Sequence, residues 1–260
     1  MRVTDSDKSW EFYGKTDPYY GVLTADEYRR DNLTDEQKEQ FFESGHSHID
    51  SVLAVIREYL QPHFAPESAL DFGCGVGRLV IPLATLCRRA VGVDISASML
   101  REAQKNCDAR SADNVELVLS DDDLSRVKGK FDFVHSYIVL QHIPVVRGEK
   151  IIGQLIDHLN DGGIGALQFT YHRKSSATRR MIYWARTHVP AANAAVNLLR
   201  KKPIGDPVME MNEYDLNRLF VILQETGCHH TYVRFSDHPS PNTNTYGVFL
   251  FFQKRSLPTF

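Results

Sequence analysis

The stretch ALDFGCGVGR, Ala69–Arg78, does most to limit what this chain can become. An apolar run ends in Gly73, Gly75 and Gly77, each one residue apart from the next. Glycine tolerates left-handed backbone and close approach, so the pattern fits a strand that turns sharply into a helix. Steric need alone explains glycines in such a turn, and the surrounding pattern has to say what the loop is for. Strand-like stretches cover 69–72, 90–94, 115–119, 131–135 and 164–170. Helix-like stretches alternate with them over 77–87, from a Ser96 cap to 107, and over 148–160. That alternation predicts βαβ units and an α/β fold whose parallel sheet is covered on both faces.

The period changes after Tyr171. A polar, Ala-rich, Pro-interrupted segment precedes a helix over 213–225 and two strand-like runs, 230–236 and 247–253. The turn-rich DHPSPNTNTY between those runs predicts an antiparallel hairpin. Upstream, residues 34–60 have helical periodicity, with Phe41, Phe42, His48, Ile49, Val52, Leu53 and Ile56 facing inward. Two prolines in 61–68 close that helix, giving an N-terminal helical cap over 1–66 and a core over 67–260. Residues 171–212 form an insertion within that core.

Size and composition restrict the function classes. With 260 residues, 42% hydrophobic and 24% charged, the chain can bury a sizeable core. A net charge of −3 gives no global bias toward nucleic acid or anionic membrane. The polar N-terminus lacks a signal-like apolar region, and no stretch approaches the roughly 18 apolar residues of a spanning helix. The expected location is the cytoplasm. Cys74, Cys87, Cys107 and Cys228 are scattered without CxxC or metal-ligand spacing, which predicts free thiols. His46 and His48 lack a third ligand at recognisable spacing, so no metal is expected. A dinucleotide fingerprint needs Gly or Ala where Arg78 stands, which counts against a nicotinamide or flavin cofactor.

Four motifs in register resemble those of the class I S-adenosylmethionine-dependent methyltransferases. They are LDFGCGVGR (70–78), VGVDIS (Val91–Ser96), VELVLSDDDL (Val115–Leu124) and FDFVHSYIVLQHIP (Phe131–Pro144). The resemblance covers Ala69–Thr170. It implies a doubly wound, seven-stranded, mostly parallel sheet with an antiparallel last strand, a helical N-terminal cap and an insertion after the fifth strand. It also implies S-adenosylmethionine as cofactor and S-adenosylhomocysteine as product. Gly73, Cys74 and Gly75 would approach the cofactor through their backbone. Asp94 would accept the ribose hydroxyls, Asp121 or Asp122 would face the adenine, and Asp71 would lie near the methionine ammonium. Ile95 and Met99 would pack on the adenosine, and Ser136 would also contact the cofactor. Tyr20, with Tyr19, would belong to an N-terminal stretch that closes over the site.

Methyl transfer is an in-line displacement for which the protein supplies alignment and desolvation. A hydroxyl acceptor benefits from a base, and His142 in LQHIP is the candidate catalytic residue. His172 is a second candidate, on the substrate side, and His135 is assigned to its strand. The segment 171–203 holds Arg173, Lys174, Arg179, Arg180, Arg186, Arg200, Lys201 and Lys202 and no Asp or Glu. This predicts an anionic, phosphate- or carboxylate-bearing acceptor, with Arg179 among its contacts and Tyr183 and Trp184 as an apolar wall. A solvated basic face and contact with an anionic lipid surface are the other readings of the same segment.

The expected function is therefore methyl transfer to a small molecule, at oxygen rather than nitrogen. One alternative is an RNA or protein methyltransferase docking through 171–203, although the [DNS]PP[YF] signature of amino-methyltransferases is replaced by YIVLQHIP. Nucleic acid is not the expected partner. Another alternative is a non-catalytic partner subunit, against which Asp71, Gly73, Gly75 and Asp94 all argue by being intact.

Overall fold

The computed structural model describes residues 5–236 and 244–255. Its strands are β1 (Ser68–Phe72), β2 (Arg89–Asp94), β3 (Val115–Leu119), β4 (Phe131–Ser136), β5 (Leu159–Arg173), β6 (His230–Phe235) and β7 (Thr245–Gln253). They form one seven-stranded sheet in the order β3-β2-β1-β4-β5-β7-β6. Neighbours from β3 to β5 are parallel, and β7 runs antiparallel to both β5 and β6. The sheet is the α/β arrangement expected from the sequence, with its antiparallel last strand. The turn-rich stretch 237–243 lies outside the described residues.

The helices are α1 (Ser6–Thr16), α2 (Pro18–Val22), α3 (Asp35–Tyr59), α4 (Val80–Leu86), α5 (Ala97–Ala109), α6 (Val145–Asp157), α7 (Ala177–His188), α8 (Ala192–Leu199) and α9 (Leu216–Glu225). Local chemistry sets several of their ends. Thr34 and Gln37 form a capping box on α3, and the Ser96 hydroxyl accepts from Met99 N–H at the start of α5. Helix α4 starts later than expected because Gly77 sits at φ +95°, outside the helical region.

Side chains alternate across β1 and sort the layers. Leu70 and Phe72 pack with Ile151, Ile152 and Leu155 of α6 and Leu219 of α9. On the opposite face, Ala69 and Phe133 pack with Leu83 of α4 and with Ile49, Val52, Leu53 and Ile56 of α3. Helix α3 is thus a layer of the core, and the expected boundary near residue 66 does not separate two cores. Burying each such aliphatic side chain contributes about 1.5–3 kcal/mol, which fixes α3 on the sheet. Only the residues before α3 form a cover. Tyr13, Tyr19 and Tyr20 of α1 and α2 pack against Phe41, Phe42, Val76 and Met99. Between β5 and α9, the insertion folds as α7 and α8. Among the described residues no helix is long and apolar enough to cross a membrane, and no cluster of metal-ligating side chains occurs.

Candidate functional site

Strand order reverses between β1 and β4, and ligands of such sheets bind beyond the strand ends at that point. The glycine loop occupies this place. Gly73 N–H and Cys74 N–H both donate to Val93 O, at 2.7 and 3.0 Å, which folds the loop back over β2. Gly73 and Gly75 have φ of +77° and +54°. A Cβ at Gly73 would lie 2.3 Å from Val139 Cγ2, and one at Gly75 would lie 2.6 Å from Val22 Cγ2, so neither position admits a side chain.

At the end of β2, Asp94 accepts from Gly75 N–H through Oδ2 (2.9 Å) and from Ser96 N–H through Oδ1 (2.8 Å). Burial pushes its carboxyl up to about 6, against the pull of those two N–H donors. Each carboxylate oxygen keeps a lone pair for a further donor. Asp94 lines a narrow pocket of about 100 Å³ with Gly73, Gly75, Ile95, Met99, Asp121 and Asp122. Apolar walls from Ile95, Met99 and Val139, with a carboxylate at one end, suit the base and ribose diol of an adenosine. Asp121 also caps its own turn, accepting from Ser125 N–H (2.9 Å), and Asp122 pairs with Arg147 Nε at 2.6 Å.

Four expected cofactor residues, Ser136, Cys74, Asp71 and Tyr20, do not line this pocket. The Ser136 hydroxyl donates to Phe72 O at 2.9 Å inside the sheet, and Cys74 is buried with its thiol pKa raised by that burial. Asp71 points to the α3 face of β1, because side chains alternate and its neighbours Leu70 and Phe72 take the other face. In the ladder it lies beside His135, whose Nδ1–H donates to Asp71 Oδ1 at 3.0 Å. His135 Nε2 is 3.1 Å from His48 Nε2, and the His48 ring stacks on Tyr137 at 4.0 Å. Burial, with His135 and Arg78 nearby, holds the His48 imidazole neutral, its pKa lowered to about 2. Asp71 Oδ2 is buried without a hydrogen-bond partner among the described residues. The sequence reading gave His135 to the strand alone and missed this chain, which joins residues from β1, β4 and α3.

A wide cavity of about 1120 Å³ adjoins the narrow pocket. The two share Gly21, Val22, Tyr137, Ile138 and His142 as wall residues. His142 Nδ1–H donates to Glu210 O at 2.6 Å, which leaves Nε2 as the unprotonated nitrogen, 3.2 Å from the Gln141 amide nitrogen. Gln141 is in turn oriented by the Thr170 hydroxyl, which donates to its Oε1 at 2.8 Å. Burial lowers the His142 pKa to about 4. Arg173, Arg186, Arg200, Lys202 and Arg234 reach the wide cavity, against the acids Asp26 and Asp206. Asp206 is already paired with Arg29 at 3.2 Å. Tyr20 lines this cavity rather than the narrow pocket, with the Arg29 guanidinium 3.7 Å from its ring centre.

Of the expected substrate residues, Tyr183 lines the wide cavity, whereas His172, Arg179 and Trp184 do not. A bulge between Thr170 and His172 breaks the alternation of β5, so Thr170 and Arg173 point inward and His172 is exposed. On α7, Tyr183 and Arg186 face the cavity, and helical spacing then turns Trp184 outward, 56% exposed.

The N-terminal strap is the part that sequence reasoning located least well. Ser6, Asp7 and Trp10 line the narrow pocket, and Trp10 meets the edge of His142 at 5.0 Å between ring centres. Glu11 accepts from the Ser96 hydroxyl (2.8 Å), Ser98 N–H (3.1 Å) and the Ser98 hydroxyl (2.7 Å), so it caps α5 from outside. Arg147 holds Asp7 and Asp122 together, at 2.6 Å to each. Nothing in the local sequence pairs these residues.

Comparison with known proteins fits this geometry. Residues 69–163 match the family described as a methyltransferase domain. A magnesium-protoporphyrin O-methyltransferase of Synechocystis is 38% identical over 85 residues, covering 33% of this chain and 37% of its own. A ubiquinone biosynthesis O-methyltransferase of Methylococcus capsulatus is 31% identical over 99 residues, 37% of this chain and 42% of its own. The chain spans less than half the length of these curated relatives. Among solved structures, magnesium protoporphyrin IX methyltransferase from Synechocystis with bound S-adenosylhomocysteine gives a TM-score of 0.61 at 21% identity, covering 96% of this chain and 100% of that one. A phosphoethanolamine N-methyltransferase of Haemonchus contortus gives 0.56 at 17% identity, over 80% of this chain and 53% of that one. Residues 69–163 thus match a methyltransferase domain, and the sheet built around them has the fold of solved methyltransferases with bound S-adenosylhomocysteine or S-adenosylmethionine.

Proposed function

We propose that the protein methylates an oxygen of a small acceptor that carries an anionic group on an apolar or aromatic body. The observation behind this reading is the shared wall: a pocket suited to adenosine and a wide cationic cavity meet at His142, Tyr137 and Ile138. Bound S-adenosylmethionine supplies an electrophilic sulfonium methyl group. Asp94 holds the ribose hydroxyls, and Ile95 and Met99 enclose the base. Arg173, Arg200, Lys202 and Arg234 engage the acceptor's phosphate or carboxylate. The phenyl and phenol rings of Tyr137, Tyr183 and Phe249, which line the same cavity, exclude water from its body. His142, fixed as the Nδ1–H tautomer by Glu210 O, would accept the hydroxyl's proton at Nε2 as the new bond forms, once the acceptor displaces the Gln141 amide N–H that donates to Nε2 at 3.2 Å.

The named O-methyltransferase relatives favour oxygen as the methylated atom. A polynucleotide or protein substrate has less support. Of the eight cations in 171–203, Arg173, Arg186, Arg200 and Lys202 line the cavity instead of an outer docking face.

Calorimetric titration with S-adenosylmethionine and S-adenosylhomocysteine tests the cofactor half. Binding should be weakened at least tenfold by Asp94→Ala, about 1.4 kcal/mol. Absence of binding by the native chain would sink the reading. For the acceptor half, hydroxylated aromatic carboxylates and phosphates would be screened with radiolabelled methyl donor. Their neutral analogues should be poorer acceptors.

A further inference from the structure

We infer that the outer face of the 171–212 insertion docks on an anionic phospholipid surface. Met181, Trp184, Val189, Leu198, Leu199 and Ile204 are 65%, 56%, 40%, 64%, 84% and 58% exposed. They make up half of the twelve exposed large apolar side chains among the described residues, concentrated in one short segment. On α7, Met181, Trp184 and His188 fall on one side of the helix, and the Trp184 and His188 rings stack at 5.2 Å. The opposite side carries Tyr183 and Arg186 into the wide cavity. The helix is therefore amphipathic in an unusual sense. Its inner face is committed to a ligand cavity, and its outer face is apolar and open.

Charge selects the partner. Lys174, Arg179, Arg180 and Lys201 are exposed, do not line the cavity, and have no acidic residue near them in 171–203. Two copies meeting through this face would bring like charges together, which opposes self-association. Aliphatic Leu198, Leu199 and Ile204 have no planar surface to offer a nucleobase, whereas they suit the boundary between headgroups and acyl chains. Basic residues beside Leu and Trp on short helices are the pattern of an interfacial element drawn to anionic lipid. The inference goes beyond the methyl-transfer reading and does not depend on it. If both hold, the acceptor cavity lies directly behind the lipid-facing helix.

The test uses the full chain and vesicles of phosphatidylcholine with or without about 30% phosphatidylserine, a content chosen to give a negative surface. Co-sedimentation should be at least tenfold stronger on the anionic vesicles and should weaken as salt is raised. In a Trp10→Phe background, which leaves Trp184 as the single tryptophan, emission should shift to the blue on binding. Leu198→Asp with Leu199→Asp should abolish binding, and Arg179→Glu with Arg180→Glu should abolish the preference for anionic lipid. All four positions are exposed, so unchanged thermal unfolding midpoints should confirm that the variants fold. Equal or absent binding to both vesicles would overturn the inference. So would vesicle binding without any Trp184 shift, a concentration-dependent dimer sensitive to the Leu substitutions, or tighter binding to RNA than to lipid.

Discussion

Asp94 fastens the glycine loop through Gly75 N–H and the start of α5 through Ser96 N–H, and the proposed ligand needs the same carboxylate ionised. Its folded-state pKa of about 6 lies above the ordinary 3.8, so the ligand-free protein binds that proton more tightly than the unfolded chain. Protonation of Asp94 therefore favours the folded, ligand-free state as pH falls from 6 toward 4, while it opposes hydroxyl binding. S-adenosylhomocysteine affinity should fall about tenfold per pH unit below 6, with proton release on binding rising from about half a proton near that pH toward one proton below it. Calorimetry in buffers of different ionisation enthalpy would count that proton. His142 stays neutral down to about pH 4, so the acid limb of kcat/KM should follow Asp94 rather than His142. His142→Gln should lower kcat by about a hundredfold or more and leave S-adenosylhomocysteine affinity within a few-fold. Equal losses in both would make His142 a wall residue only.

Elements built from local signals were legible, and elements held by distant contacts were not. The Ser96 cap, the Thr34 helix start and strands β1 to β4 depend on residues a few positions apart. Glu11, by contrast, meets Ser96 across a separation of 85 residues, and no local pattern announces that contact. The β5 bulge defeated simple alternation in the same way, exchanging His172 for Arg173 at the cavity wall. Burial alone would raise the Glu11 pKa, but hydrogen bonds from Ser98 and Ser96 hold its carboxyl down at about 2. A depressed carboxylate stabilises the folded state above its unfolded pKa near 4.5, and that stability is lost as pH falls toward 2. Glu11→Gln should therefore loosen the strap at neutral pH at a cost of about 1 kcal/mol, as for loss of a helix cap. A lower unfolding midpoint and faster cleavage before residue 30 in limited proteolysis would register it.

At the scale of the molecule, the sequence motifs converge on the ends of β1 and β2, the proposed cofactor side of the crevice, because backbone approach and a carboxylate for a ribose diol would demand fixed residue types. The wide cavity, proposed for the acceptor, is assembled from the strap, α3, β5, the insertion and the hairpin. No single stretch carries its signature. The basic insertion shows why. Its cations divide between an inner face and an outer one, and only the folded helices decide which residue goes where.

The strap closes both compartments at once, since Gly21 and Val22 border each of them and Trp10 abuts His142. Under the proposed reaction, donor and acceptor would have one door between them. Spent cofactor cannot leave behind a closed door that still retains the methylated product, so exit of both should wait on a single opening event. Rapid-quench kinetics should show a first-turnover burst followed by a slower steady state. Glu11→Gln should raise the steady-state rate while weakening the hold on the methyl donor.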